Sequence, residues 1–113
     1  MIDVHLTTSR LGDLLGTLAH PHRLLLVIAL EEGACDASTL TRKVGISQLG
    51  VMEHLRVLRA HHIVTERREN GRTSYELAWP GIVGWLTMGL AFIEGHLSVP
   101  AGRLVELPKA GGA

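Results

Sequence analysis

Residues 46–78 limit what this chain can fold into more than any other stretch. Ser47-Gln48-Leu49-Gly50-Val51-Met52-Glu53-His54-Leu55-Arg56-Val57-Leu58 opens on a residue suited to cap a helix. Val51, Leu55 and Leu58 then fall at i, i+4 and i+7, a single apolar stripe. Ile63, Val64, Thr65, Thr73 and Tyr75 are strand-forming types, and Asn70-Gly71 between them tolerates the positive φ of a tight turn. Arg67, Arg68 and Arg72 crowd that turn. The stretch therefore predicts a helix of about 48–61 followed at once by an arginine-tipped hairpin.

The segments before it supply helices in the right order. Thr8 or Ser9 is placed to cap a helix over roughly 9–19, with Leu11, Leu14, Leu15 and Leu18 on one face. Pro21 opens a second helix to about Glu32, which Gly33 stops. Asp36 or Ser38 caps a third over 37–44, and Gly45 supplies a left-handed turn before Ser47. Short helix, glycine turn and second helix make helix-turn-helix geometry. Beyond Pro80, residues 82–97 are apolar nearly all round, with Trp85, Met88 and Phe92 among them. A helix so apolar in a chain of 113 residues must be covered, and a second copy is the simplest cover. The fold class expected is mainly α (α+β): a winged helix-turn-helix of about five helices and a two-stranded β-hairpin wing. Residues 1–99 form the DNA-binding and dimerisation domain, and 100–113 a flexible tail.

Net charge is zero, yet residues 42–72 hold seven arginines and lysines against three glutamates. That asymmetry places a basic face on a neutral protein, as nucleic-acid binding requires. The outer face of the fourth helix, Gln48, Leu49, Met52, Glu53 and Arg56, is what enters a groove. Gln48 suits an adenine edge, Leu49 and Met52 suit either thymine methyls or contact with neighbouring helices, and Glu53 accepts from a cytosine amino group but repels phosphate. Arg67, Arg68 and Arg72 on the hairpin are assigned to phosphates or the minor groove, and Arg42 and Lys43 at the end of the third helix to phosphates. Ser47 and Gly50 complete the predicted DNA-binding set.

Other classes are disfavoured. The chain has no Ser-His-Asp arrangement, paired carboxylates, phosphate loop or metalloprotease helix motif, so it is not read as an enzyme. The longest apolar run, Leu24 to Leu30, has seven residues, far from the roughly 18 of a membrane span, and no signal peptide is read. A single cysteine, Cys35, makes no internal disulfide and suits the cytoplasm.

The order of elements, together with Leu18-Ala19-His20-Pro21-His22-Arg23-Leu24, Ile46-Ser47-Gln48, His54-Leu55, Val57-Leu58-Arg59, Arg67-Arg68-Glu69-Asn70-Gly71-Arg72 and Tyr75-Glu76-Leu77, resembles the ArsR/SmtB family of dimeric bacterial transcription regulators. The likeness covers about residues 10–97. It implies a homodimer, built on first and last helices, that sits on palindromic double-stranded operator DNA and is released by an inducer, often a metal. The interface residues it implies are Leu11, Leu14, Leu15 and Leu18 with Trp85, Met88 and Phe92. The family usually has small hydroxyl residues at 49, 50 and 52 and often histidine at 53. Leu49, Gly50, Met52 and Glu53 depart from that, so the resemblance does not carry over an operator sequence.

Seven histidines are many for this length, and imidazole suits nickel, zinc and copper. The family's thiolate site needs paired cysteines, and its other common site needs a His-x-x-His or His-x-x-Glu on the last helix; neither is present. Asp3 and His5, on an N-terminal arm, join Glu94 and His96 in a nickel or zinc site if that arm reaches the partner's last helix; the alternative is a mobile arm with an incidental histidine. His20, His22, His61 and His62 are read as surface or capping residues, and His54 as structural. The function expected is a dimeric repressor answering a transition metal. A regulator gated by a small molecule, redox change or co-regulator protein, and a protein-interaction module on the same scaffold, remain open.

Overall fold

A computed structural model describes residues 3–97, with the side chains of 96 and 97 outside that description. Helix α1 (Val4–Leu18) precedes α2 (Pro21–Ala29), which runs into a 3-10 turn over Leu30–Glu32. Then come α3 (Ala37–Val44), α4 (Gln48–Ala60), the strands β1 (Val64–Glu69) and β2 (Arg72–Leu77), and α5 (Ile82–Leu97). Five helices and an antiparallel hairpin match the expected winged helix-turn-helix. The expected tail, 100–113, lies outside the described residues.

Local chemistry sets most boundaries. Asp36 accepts the Thr39 N–H at 2.7 Å and Ser47 accepts the Gly50 N–H at 3.0 Å, so both helices of the helix-turn-helix start on side-chain caps. Thr39 also holds the Asp36 carboxyl below the usual carboxylate range. Gly45 closes α3 at φ 73°, a conformation that costs an L side chain about 1–2 kcal/mol. Asn70 and Gly71 have φ of 52° and 77°, the paired positive values of a hairpin turn. His62 also stands left-handed, at φ 60°, where the Ile63 N–H reaches back to the Leu58 carbonyl at 2.9 Å and terminates α4.

One start differs from expectation. Helix α1 begins at Val4 rather than near residue 9, because Asp3 accepts the Leu6 N–H at 3.1 Å and caps it. Thr8, expected as a cap, instead donates its hydroxyl to the Val4 carbonyl at 2.7 Å from within the helix. The N-terminal arm is therefore helical, and His5 sits in its first turn.

The core forms where α2, α3 and α4 meet the base of the wing. Leu26 and Leu30, Leu40, and Val51, Leu55 and Leu58 are fully buried, and Val64, Tyr75, Leu77, Ile82 and Val83 close over them. Cys35 is tied to this layer by an isolated bridge to Tyr75, with N–H···O bonds of 2.9 and 2.8 Å in the two directions. Burial pushes the Cys35 thiol up from its ordinary value, overriding the opposing pull of Lys43. Native protein should thus react with Ellman's reagent at least about tenfold more slowly than free cysteine, and at the free rate once unfolded in guanidinium. An equally fast native reaction would contradict the burial and reopen a redox role.

Candidate nucleic-acid interface

The cap at Ser47 and the inward stripe of α4 decide which residues face outward. With Val51, Leu55 and Leu58 against the core, Gln48, Leu49, Met52, Glu53 and Arg56 are all exposed, Leu49 to 76%. Gly50 sits over the cap: a Cβ there would stand 3.1 Å from the Ser47 hydroxyl. Ser47 and Gly50 are thus explained by how α4 starts.

Ion pairs sort the seven cations. Arg59 reaches Glu66 at 2.8 Å and fastens the end of α4 to the wing. Arg67 lies between Glu69 at 3.6 Å and Glu76 at 3.7 Å. Arg56 pairs with Glu53 at 3.2 Å, and Lys43 more loosely with Glu32 at 3.9 Å. Among the described residues, Arg42, Arg68 and Arg72 make no ion pair within 4.0 Å. Arg42 donates to the Thr39 hydroxyl at 3.2 Å.

This sharpens the assignment from sequence. The hairpin register pairs Arg67 with Ser74, Arg68 with Thr73 and Glu69 with Arg72. Alternation along a strand then puts Arg67 and Arg72 on one face of the wing and Arg68 on the other. The three arginines do not form one cluster, and Arg67 is the one already held by carboxylates. Glu53, whose charge would repel phosphate, is partly neutralised by Arg56. An exposed pair of this kind is worth only about 0.3–0.5 kcal/mol, so it exchanges readily for an outside partner.

The predicted dimer residues divide as well. Leu18 is buried in the chain's own core and Leu14 packs partly against it, so Leu18 is corrected from interface to core. The reason is the close return of α2 after Ala19. Leu11 and Leu15 on α1 and Trp85, Met88 and Phe92 on α5 are exposed, Met88 to 73%. An apolar cleft of about 640 Å³ lined by Leu15, Leu24, Trp85, Leu86 and Met88 runs between these helices.

Of the metal residues assigned from sequence, Asp3 and His5 lie at the head of α1 and Glu94 on α5. Asp3 spends a carboxylate oxygen on capping α1, and the His96 side chain lies outside the described residues. A different group does assemble. His20, His22 and His54 each place one ring nitrogen within 4.8 Å of the others. Their ring centroids are 4.5 to 5.8 Å apart. His20 Nδ1 accepts the His22 N–H at 3.2 Å and so caps α2, as its sequence position implied. His54 Nδ1 accepts from Arg23 Nε at 3.4 Å, and Arg23 also donates to the Thr17 carbonyl at 3.1 Å. Burial, then His20, Arg23 and His22, push His54 below the ordinary imidazole range, against Glu53. The His-Pro-His spacing is visible in the sequence, but nothing local links it to His54 on α4.

Among the described residues no single helix is long and apolar enough to cross a membrane. No family model matches the chain. It is 37% identical over 75 residues to the biofilm growth-associated repressor of Xylella fastidiosa strain Temecula1, a match covering 66% of each chain, so it spans just under two thirds of that relative. The crystal structure of the transcriptional repressor BigR from Xylella fastidiosa is similar at TM-score 0.67 and 32% identity, over 88% of this chain and 97% of that one. The solution structure of a homodimeric winged helix-turn-helix DNA-binding domain from Mycobacterium bovis has TM-score 0.72 at 18% identity, over 88% and 92%, a likeness of fold alone.

Proposed function

The chain belongs to the ArsR/SmtB family of winged helix-turn-helix transcription regulators, and from that premise we propose that it is a homodimeric repressor of cytoplasmic operator DNA, released by a transition metal such as nickel or zinc. Residues 1–99 act as its DNA-binding and dimerisation unit. The carrying observation is the open face of α4: Gln48, Leu49 and Met52 stand away from the core behind a side-chain cap, and on the neighbouring α3 and wing Arg42, Arg68 and Arg72 make no ion pair within 4.0 Å among the described residues. In this reading α4 enters the major groove, Gln48 reads a base edge, and the three arginines hold phosphates on either side. Lys43, Arg56 and Arg67 contribute after giving up weak surface pairs. Two α4 helices then address two half-sites of a palindrome, which requires the dimer.

The test is a footprint on the promoter of its own gene, with and without nickel or zinc. Arg72→Ala should weaken binding about evenly across sequences and lower the slope of log affinity against log salt by about 0.9, the contribution of one phosphate. Unchanged affinity at an unchanged salt slope would remove the wing from the interface. Absence of a footprint even at low salt would favour a protein-interaction module, for which exposed Leu49 and Met52 supply an apolar face. A footprint indifferent to metal would leave a DNA-binding regulator gated otherwise.

A further inference from the structure

We propose that His20, His22 and His54 form a site for one divalent cation of the nickel-to-zinc series, and that filling it unlocks the recognition helix from α2. The proposal names the site behind the metal response above and rests on that reading only for its effect on DNA.

The donor set decides the class of ion. Three imidazoles and no carboxylate suit zinc, nickel or copper and not magnesium or calcium, which take oxygen ligands. Ligand nitrogens now lie within 4.8 Å of one another. At metal–nitrogen distances of about 2.0–2.1 Å, a tetrahedral ion needs them roughly 3.3 Å apart. An ion therefore draws the three rings to that spacing, leaving a fourth position for water.

The hydrogen bonds decide what contraction does. A neutral imidazole has one lone pair in its ring plane, on whichever nitrogen lacks the proton. The donors facing His20 and His54 are a backbone N–H and an arginine Nε–H, neither of which can accept. Those two lone pairs are thus already engaged, one capping α2 and one holding Arg23. A metal must take both. When it does, the ring proton resides on the other nitrogen, and the His22 N–H and the Arg23 guanidinium lose their acceptors.

Arg23 is what makes this reach DNA. It joins three elements: its own helix α2, the Thr17 carbonyl at the end of α1 and His54 on α4. Ligation replaces that joint by one that draws His54 toward His20 and His22. Because His54 follows Glu53 and lies between Met52 and Arg56, any shift of α4 about this point moves the reading face. Free and metal-bound forms thus hold α4 by mutually exclusive bonds, the two-state element that coupling requires.

The full chain, stripped by chelator, is titrated with zinc and nickel by calorimetry and with cobalt(II) by visible absorption. One ion per chain is expected, with the intense visible band of tetrahedral cobalt. Proton–nitrogen NMR should show the Arg23 Nε–H and the His22 amide moving with metal. His22→Phe keeps the ring and removes the lone pair, and should lower metal affinity more than about 100-fold, beyond what loss of a supporting residue costs. His54→Gln is the second variant, with folding of each checked by circular dichroism. Operator affinity should change by about 5–150-fold on metal addition. Wild-type metal affinity in both variants overturns the site, and its loss in D3A or H5A instead moves the metal to the head of α1 with the metal response intact. Metal bound at the trio with unchanged operator affinity upholds the site and overturns the metal response. No binding of zinc, nickel or cobalt overturns the site outright.

Discussion

Replacing Leu55 with alanine should lower unfolding free energy by about 2–5 kcal/mol and abolish operator binding near the new transition. Leu55 is 1% exposed, at the centre of the inner stripe of α4, between Val51 and Leu58. Truncation removes the transfer free energy of the side chain and leaves a cavity whose walls come from several elements and cannot all close in. Domains of this size have about 5–15 kcal/mol in total, so the loss is a large share of the whole. Urea denaturation at fixed protein concentration reads it as a lower midpoint at an unchanged slope. Leu49→Ala, on the same helix but 76% exposed, should stay within about 0.5 kcal/mol. Equal effects at 49 and 55 would mean that α4 is turned the other way, with its reading face inward.

Met88→Asp should convert the protein to single chains and weaken operator binding by roughly 10²–10⁴-fold. Met88 is 73% exposed on α5, at the rim of the apolar cleft with Leu15 and Trp85, so the monomer's own core loses little. In a two-fold interface each substitution enters twice, placing a carboxylate against apolar surface on both copies. The DNA effect follows from geometry: two joined α4 helices bind the second half-site as an intramolecular step, and separate chains do not. Light scattering would report the mass and fluorescence anisotropy the affinity. A variant that remains dimeric with wild-type affinity would put the interface elsewhere. A monomer that still binds tightly would refute the need for two half-sites.

The legible parts of this chain share a physical character. Asp36, Ser47, Gly45 and Asn70-Gly71 act on groups within a few residues of themselves, so their roles were readable in order along the chain. The stripe Val51-Leu55-Leu58 was readable for the same reason, since helical period alone puts the three together. At the start of α1 two local signals compete. Asp3 and Thr8 both suit a cap, and the earlier one wins because the turns between them bury no conflicting group.

Local chemistry along the chain thus sets the scaffold: five helices, a wing, and an outer face of α4 with no place in the core. Tertiary structure decided which arginines around it meet a carboxylate within ion-pair distance. Whether Arg59 meets Glu66 or Arg67 meets Glu76 depends on how α4 lies against β1 and on strand register. It also decided that Leu18 turns into the core, and that Cys35 bridges to Tyr75. Above all it brought His54 to His20 and His22 through an arginine bond spanning 31 residues. Bonds of that reach are set by the angles at which helices pack, and a periodic pattern records which side of a helix is buried without recording what it will lie against.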